Sequence, residues 1–223
     1  MKKLKKIMVL ALALVMLCGL MNVNAFASAD DPEVTVYVTT GMFSLGGYDD
    51  TNRCPVVQTY KSSEDPGSHL LTGFSGAITV KSSVIQTNLS SIRAKYAPSG
   101  YTSDINVLDA IICALTVNTS HTISCGWDSY NSPNGGYINS FTPGGVPSYN
   151  ATTSAEKEEY VDGVLTPVQY TVYSGTGLKI AYNTASGGTI TEPSTYSTGQ
   201  TIVDGMVIVL DLSAYEIYYP VSD

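Results

Sequence analysis

The 223-residue chain carries 19 acidic against 11 basic residues, for a net charge of −8, and only 13% of its residues are charged. Residues 1–27 hold four of the lysines and no acid, so beyond them seven basic residues face nineteen acidic ones, a net charge of −12. Such a balance excludes nucleic acid and anionic membrane surfaces, which recruit basic patches, and the remaining length suits one domain with a full core.

Met1–Lys6 is lysine-rich, Ile7–Leu20 is an apolar run, and Ala25-Phe26-Ala27 is a small-residue cleavage site. This is the pattern of a secretory signal peptide, with cleavage after Ala27 or after Ala29 equally permissible. Leu17 before Cys18 stands where lipidation wants a small residue. Beyond the leader no stretch approaches the ~20 apolar residues of a membrane span, and no LPxTG-like anchor is present at Tyr218–Asp223. The chain is expected to be exported and released.

Glu33–Thr40 alternates and is β-branched, which predicts a strand. From Gly41 to Leu71 turn residues dominate, giving a long loop or irregular hairpin with a short strand at Val56-Val57. Ala77–Val84 reads as a second strand. Asn88–Tyr96 reads as a short helix, with Leu89, Ile92 and Tyr96 on one face and Pro98-Ser99-Gly100 ending it. The strongest helix signal follows at Asp104–Leu115. There Leu108, Ile111, Ile112 and Leu115 recur at i, i+3, i+4 and i+7, Ser103 or Asp104 is placed to cap the N-terminus, and Asp104 and Asp109 lie toward the positive end of the dipole. With nearly everything else strand or turn, this helix must plug one face of a sheet.

Ser120–Trp127 reads as a strand start, and Gly135-Gly136 as a turn before Tyr137–Phe141. Ala151–Tyr160 is polar and reads as an exposed loop or helical turn. Val168–Tyr173 and Leu178–Tyr182 alternate as strands. Met206–Leu210, an unbroken apolar run, predicts a strand buried on both faces, and Tyr215–Tyr219 follows it.

Several of these segments resemble the transcobalamin-like C-terminal domain of exported Gram-positive proteins. Asn106-Val107-Leu108-Asp109-Ala110-Ile111 is similar to that family's "sVLdAL" helix. Gly136–Phe141 is similar to its "GYyVtSIngv" strand, and Leu178–Asn183 to its "gWmYyVNG" strand. Thr198–Leu210, with Asp204-Gly205, resembles the closing "l.dGDvI.w.Y" segment. The likeness runs from Val34 to Tyr219 with insertions near 41–75 and 143–168; Leu178 stands at the tryptophan position and Met206 at the second Asp. The resemblance implies an α+β, β-grasp-like domain over residues 28–223, a mixed sheet packed on one main helix with long loop insertions. It also implies a surface module without known activity, or a corrinoid-covering one.

The catalytic inventory is thin. His69 and His121 are the only histidines. Ser124-Cys125-Gly126-Trp127 resembles a thiol-protease nucleophile turn, so a secreted cysteine hydrolase using Cys125 and His121 is the enzyme alternative. The plainer expectation is a buried strand cysteine beside a surface histidine. No HExxH, GxSxG or zinc-type cysteine spacing occurs. The Asp128–Gly135 and Asp49–Asn52 loops offer oxygen ligands but lack the alternation of a calcium loop, and Asx-rich turns bond their own backbone. No metal and no cofactor is expected. The sixteen tyrosines and the single tryptophan suit stacking on wet, partly apolar ligands; Trp127, Tyr130 and Tyr137, set among Gly and Pro, form the candidate ligand-binding platform. Beyond the leader Cys54, Cys113 and Cys125 allow at most one disulfide, with Cys113 and Cys125 nearest in sequence. The expectation is a non-enzymatic module binding a small-molecule, glycan or protein partner, with a purely structural or adhesive spacer as a further alternative.

Overall fold

A computed structural model describes residues 31–128, 135–193 and 197–221. Among the described residues, nine strands and two α-helices form an α+β architecture: β1 (Glu33–Thr39), β2 (Gly47–Asp49), β3 (Cys54–Val56), β4 (Ile78–Lys81), β5 (Thr122–Trp127), β6 (Gly136–Thr142), β7 (Ser148–Val161), β8 (Val164–Tyr182) and β9 (Met206–Pro220), with a five-stranded main sheet ordered β4-β1-β9-β8-β7 and two two-stranded sheets, β2-β3 and β5-β6. Strand β1 is Glu33–Thr39 and β9 is Met206–Pro220. They lie side by side and parallel, with Val34 opposite Met206, Val36 opposite Ile208 and Val38 opposite Leu210. Strand β4, Ile78–Lys81, closes the edge antiparallel to β1. The alternation in β1 sends Val34, Val36 and Val38 into the core, where each is at most 1% exposed.

Helix α1, Ser82–Tyr96, begins directly after β4 and buries Ile85 and Ile92. It is longer than the helix expected from Asn88, and the strand expected through Val84 stops at Lys81. Valines and serines at 80–84 favour extended backbone locally, but Ile85, Leu89, Ile92 and Tyr96 pack as one helical stripe on the core.

Helix α2, Val107–Cys113, continues as a π-turn over Ala114–Asn118. Its cap is Asn106 rather than Ser103 or Asp104: the Asn106 side chain accepts from the Asp109 N–H, and Asp109 accepts from the Asn106 N–H, a reciprocal capping box. Leu108, Ile111, Ile112 and Leu115 are 0–3% exposed, and every residue from Val107 to Leu115 is buried. A helix buried on every side, its one charge Asp109 paired with Arg93, is an enclosed one; α2 is covered by the sheet, by α1 and by the β5-β6 hairpin.

That hairpin pairs Thr122–Trp127 (β5) with Gly136–Thr142 (β6) and carries a bulge at Ser124/Cys125. The other face of the main sheet is covered by the 41–60 segment, with Met42 and Phe43 on Ala181 and Val209. The expected loop there contains β2 (Gly47–Asp49) and β3 (Cys54–Val56). Buried Asp211 fastens the segment by accepting from the Thr39 hydroxyl, the Met42 N–H and the Ser213 hydroxyl.

The expected loop at Ala151–Tyr160 is a strand. Strand β7, Ser148–Val161, pairs along its length with β8, Val164–Tyr182. Asp162 and Gly163 join them with φ of 51° and 79°, the signature of a two-residue type I′ turn. The polar sequence misleads because β7 is an edge strand with water on one side. The two short strands expected at 168–182 are one strand, as are the two at 206–219. Met206, Ile208, Val209, Leu210 and Asp211 are all buried. Amide exchange should therefore be slowest across Val207–Leu210 and orders of magnitude faster along β7; native-state exchange with rapid loss of label at Val207–Leu210 would contradict the central position of β9.

Candidate functional site

The strand pairing of the β5-β6 hairpin decides where its aromatic residues point. Gly126 lies opposite Tyr137, and Trp127 lies opposite Gly136. Successive residues alternate faces, so the two rings leave on opposite sides. Trp127 turns inward: it packs against the core cluster, meets Tyr101 edge-to-face at 4.9 Å, and sits so close to Gly136 that a Cβ there would meet the indole at 2.7 Å and Leu108 at 2.8 Å. Its Nε1 is buried with no hydrogen-bond partner among the described residues. Tyr137 turns outward, 39% exposed, with its ring laid over Gly126, where a Cβ would fall 2.5 Å from Cζ. The structure thus does not bring Trp127 and Tyr137 onto one surface. Tyr130 lies outside the described residues.

Tyr137 instead faces β8 and β9. It lines a cleft of about 380 Å³ with Tyr149, Gly177, Leu178 and Tyr215, and an adjoining one of about 290 Å³ with Ile180, Glu192 and Pro193. Both volumes fall near the lower end of small-ligand sites. Tyr215 repeats the arrangement of Tyr137. Its ring lies over Gly177, 3.5 Å from where a Cβ would stand, and its hydroxyl is 3.1 Å from the same position on Gly175. The cleft therefore presents two tyrosine rings, each backed by a glycine on the neighbouring strand. Tyr149 and Tyr215 were not foreseen as site residues. The signal was the glycine pair at 175 and 177, opposite an alternating Tyr215-Ile217-Tyr219.

Cys125 and His121 are separated by four residues along extended chain, roughly 13 Å at ~3.3 Å per residue. His121 Nδ1 hydrogen-bonds the Thr119 hydroxyl at 2.7 Å, and its ring stacks on Phe74 at 4.9 Å. Burial pushes the Cys125 thiol up to about 12, and burial with the Asp109 charge pushes Cys113 up to about 11. Both are the reverse of an activated nucleophile. Among the described residues the three cysteines are free thiols: Cys54 exposed, Cys113 buried, Cys125 half-buried. Native protein lacking residues 1–27, and with them Cys18, should at pH 8 consume one equivalent of Ellman's reagent, at Cys54, and three after denaturation; three in the native state would place Cys113 and Cys125 outside the core. Both buried thiols keep their protons where the unfolded chain, near pH 9, loses them, so their contribution is complete below pH 9 and is lost as pH rises toward 11–12.

Asp49 accepts from the Thr51 and Asn52 N–H groups and from the Asn52 side chain. These hydrogen bonds to Asn52 and Thr51 hold its carboxyl below the usual range, and they describe a self-contained Asx turn. Among the described residues no group of three or more His, Cys, Asp or Glu side chains converges as metal ligands, and no helix is long and apolar enough to cross a membrane. Compared with models of known families, with characterised proteins and with solved structures, the chain matches none.

Proposed function

We propose that this chain is an exported, non-enzymatic binding module of β-grasp-like architecture, which takes its ligand in the cleft between β6 and the β8–β9 ribbon. The observation that carries the reading is the pair of glycine-backed tyrosine rings, Tyr137 on Gly126 and Tyr215 on Gly177. A ring held from behind by a glycine keeps its other π-face for a ligand at little entropic cost, since it is already ordered. Export is supported by the lysine-led apolar run and small-residue cleavage site at residues 1–29.

The β-grasp-like reading is supported by the parallel pairing of β1 with β9 beside β4 and by the helices laid across that face. The β7-β8-β9 meander is a simple antiparallel series. The likeness to transcobalamin-like C-terminal domains agrees with a ligand-covering role for this face. Against the cysteine hydrolase stand the separation of His121 from Cys125 and the raised thiol.

Calorimetric titration with cobalamin, cobinamide and a panel of soluble glycans tests the reading on wild type, Tyr137→Ala and Trp127→Ala. Heat from a ligand should vanish in Tyr137→Ala while its unfolding midpoint stays put, because exposed positions change stability by less than ~0.5 kcal/mol. Trp127→Ala should instead lower stability by about 3 kcal/mol, the lower end of the range for truncating a packed tryptophan, since the indole is partly buried against the core. Binding that survives Tyr137→Ala unchanged would move the site away from this cleft, and silence of the whole panel would leave the spacer reading.

A further inference from the structure

We infer that the ligand of this cleft is an uncharged polysaccharide, bound along a track of tyrosines that crosses β7, β8 and β9; the inference rests on the cleft being the binding site. The first observation is the length of the track. Tyr149 on β7, Gly175 on β8 and Tyr215 on β9 form one cross-strand rung. Beyond it the Tyr173 ring stands 6.2 Å from Tyr149 and 5.6 Å from Tyr219. Tyr149 and Tyr219 are 59% and 55% exposed. With Tyr137 at the near end, the rings continue well past the cleft, further than a single sugar or a compact small molecule would occupy, as a linear polymer requires.

The second observation is chemical. Among the described residues, no Asp, Glu, Lys, Arg or His side chain lines the larger cleft. The adjoining cleft holds one opposite pair, Lys179 and Glu192, which satisfy each other at 3.1 Å. Hydroxyl-bearing residues share the lining: Ser148 and Thr176 border the cleft and bond one another at 3.0 Å, Thr176 Oγ1 also accepting from the Ser148 N–H, and the Thr152 hydroxyl bonds that of Tyr149. Flat apolar faces beside hydroxyls match a sugar, whose C–H faces stack on rings and whose rim donates and accepts. An acidic polymer would meet one cation here, Lys179, already paired with Glu192, on a chain rich in carboxylates. A proline-rich peptide, the other ligand that aromatic grooves take, is an outcome the test separates.

The test is affinity electrophoresis of the full chain through gels containing xylan, hydroxyethylcellulose, galactomannan or starch, with polygalacturonate as the acidic counterpart, and titration with a proline-rich peptide. Tyr149→Ala and Tyr215→Ala are compared with wild type and with Tyr160→Ala, an exposed tyrosine at the tip of the β7-β8 hairpin. At least one neutral polymer should retard wild type and Tyr160→Ala equally, with affinity about ten-fold or more weaker in Tyr149→Ala and unchanged in 1 M salt, since nothing charged is screened. Tyr149→Phe should retain binding, and unfolding midpoints control for damage in Tyr215→Ala. Retardation by no neutral polymer overturns the inference. If polygalacturonate or the peptide binds and Tyr149→Ala abolishes it, the polysaccharide class fails while the cleft stands. If a neutral polymer binds all variants alike, the cleft itself is wrong.

Discussion

Ile111→Ala should lower unfolding stability by about 2–5 kcal/mol, and Leu108→Ala by a similar amount. Ile111 is fully buried and Leu108 is 3% exposed, at the centre of a helix enclosed on every side. Where sheet, α1 and the β5-β6 hairpin all press on one short helix, the surroundings have little freedom to collapse into a cavity, so the upper half of the range is expected. Denaturant unfolding checks it, with Tyr160→Ala as a surface control expected within ~0.5 kcal/mol. Midpoints unchanged by both core substitutions would remove α2 from the centre of the core.

The second large effect is expected at Arg93. Its guanidinium reaches from α1 to Asp109 on α2, with Nη2 donating to Oδ2 at 2.7 Å and Nε to Oδ1 at 3.3 Å. It also donates to the Ser103 carbonyl at 2.8 Å and the Asp104 carbonyl at 2.9 Å, and lies over the Tyr101 ring. The hydrogen bonds to Asp109 raise its pKa still further. The side chains of Arg93 and Asp109 are only 14% and 4% exposed. Arg93→Met keeps much of the packing but strands a buried carboxylate, for an expected loss of about 3–5 kcal/mol. Adding Asp109→Asn should recover part of it, and the double-mutant cycle measures the coupling. Arg93→Lys should not substitute, because a single ammonium cannot span both helices and the intervening carbonyls as the planar fork does. Strictly additive losses would show that the pair is uncoupled.

The central elements were legible because each sits in an environment that writes itself into one segment. The stripe at Leu108, Ile111, Ile112 and Leu115 is buried as its pattern requires, and so is the apolar run at Met206–Leu210 except for half-buried Val207. Strand β7 was not, since an edge strand needs no apolar face; its Asp162-Gly163 turn was the better signal, read only once both φ values are seen to be positive. The start of α1 was obscured by residues whose local preference is overridden by packing of Ile85. The site was half legible. Tyr137 beside a glycine pointed to an exposed ring, but the inward turn of Trp127 depends on pairing parity across the hairpin. Tyr149 and Tyr215 meet only because β9 lies beside the β7-β8 hairpin, so that residues 149, 175 and 215 form one rung.

The neighbouring position of β1 and β9 also sets the order of events in time. The Thr39 hydroxyl bonds Asp211 across a separation of 172 residues, and until β9 arrives both β1 and β8 lack their inner neighbour. A chain emerging N-terminus first has no complete sheet to commit to for most of its synthesis or passage. Contacts this distant make folding slow, and a truncation anywhere before Met206 removes the keystone of the sheet rather than trimming its margin. Strands β1 and β8 therefore share no sheet until Met206–Pro220 is available to lie between them.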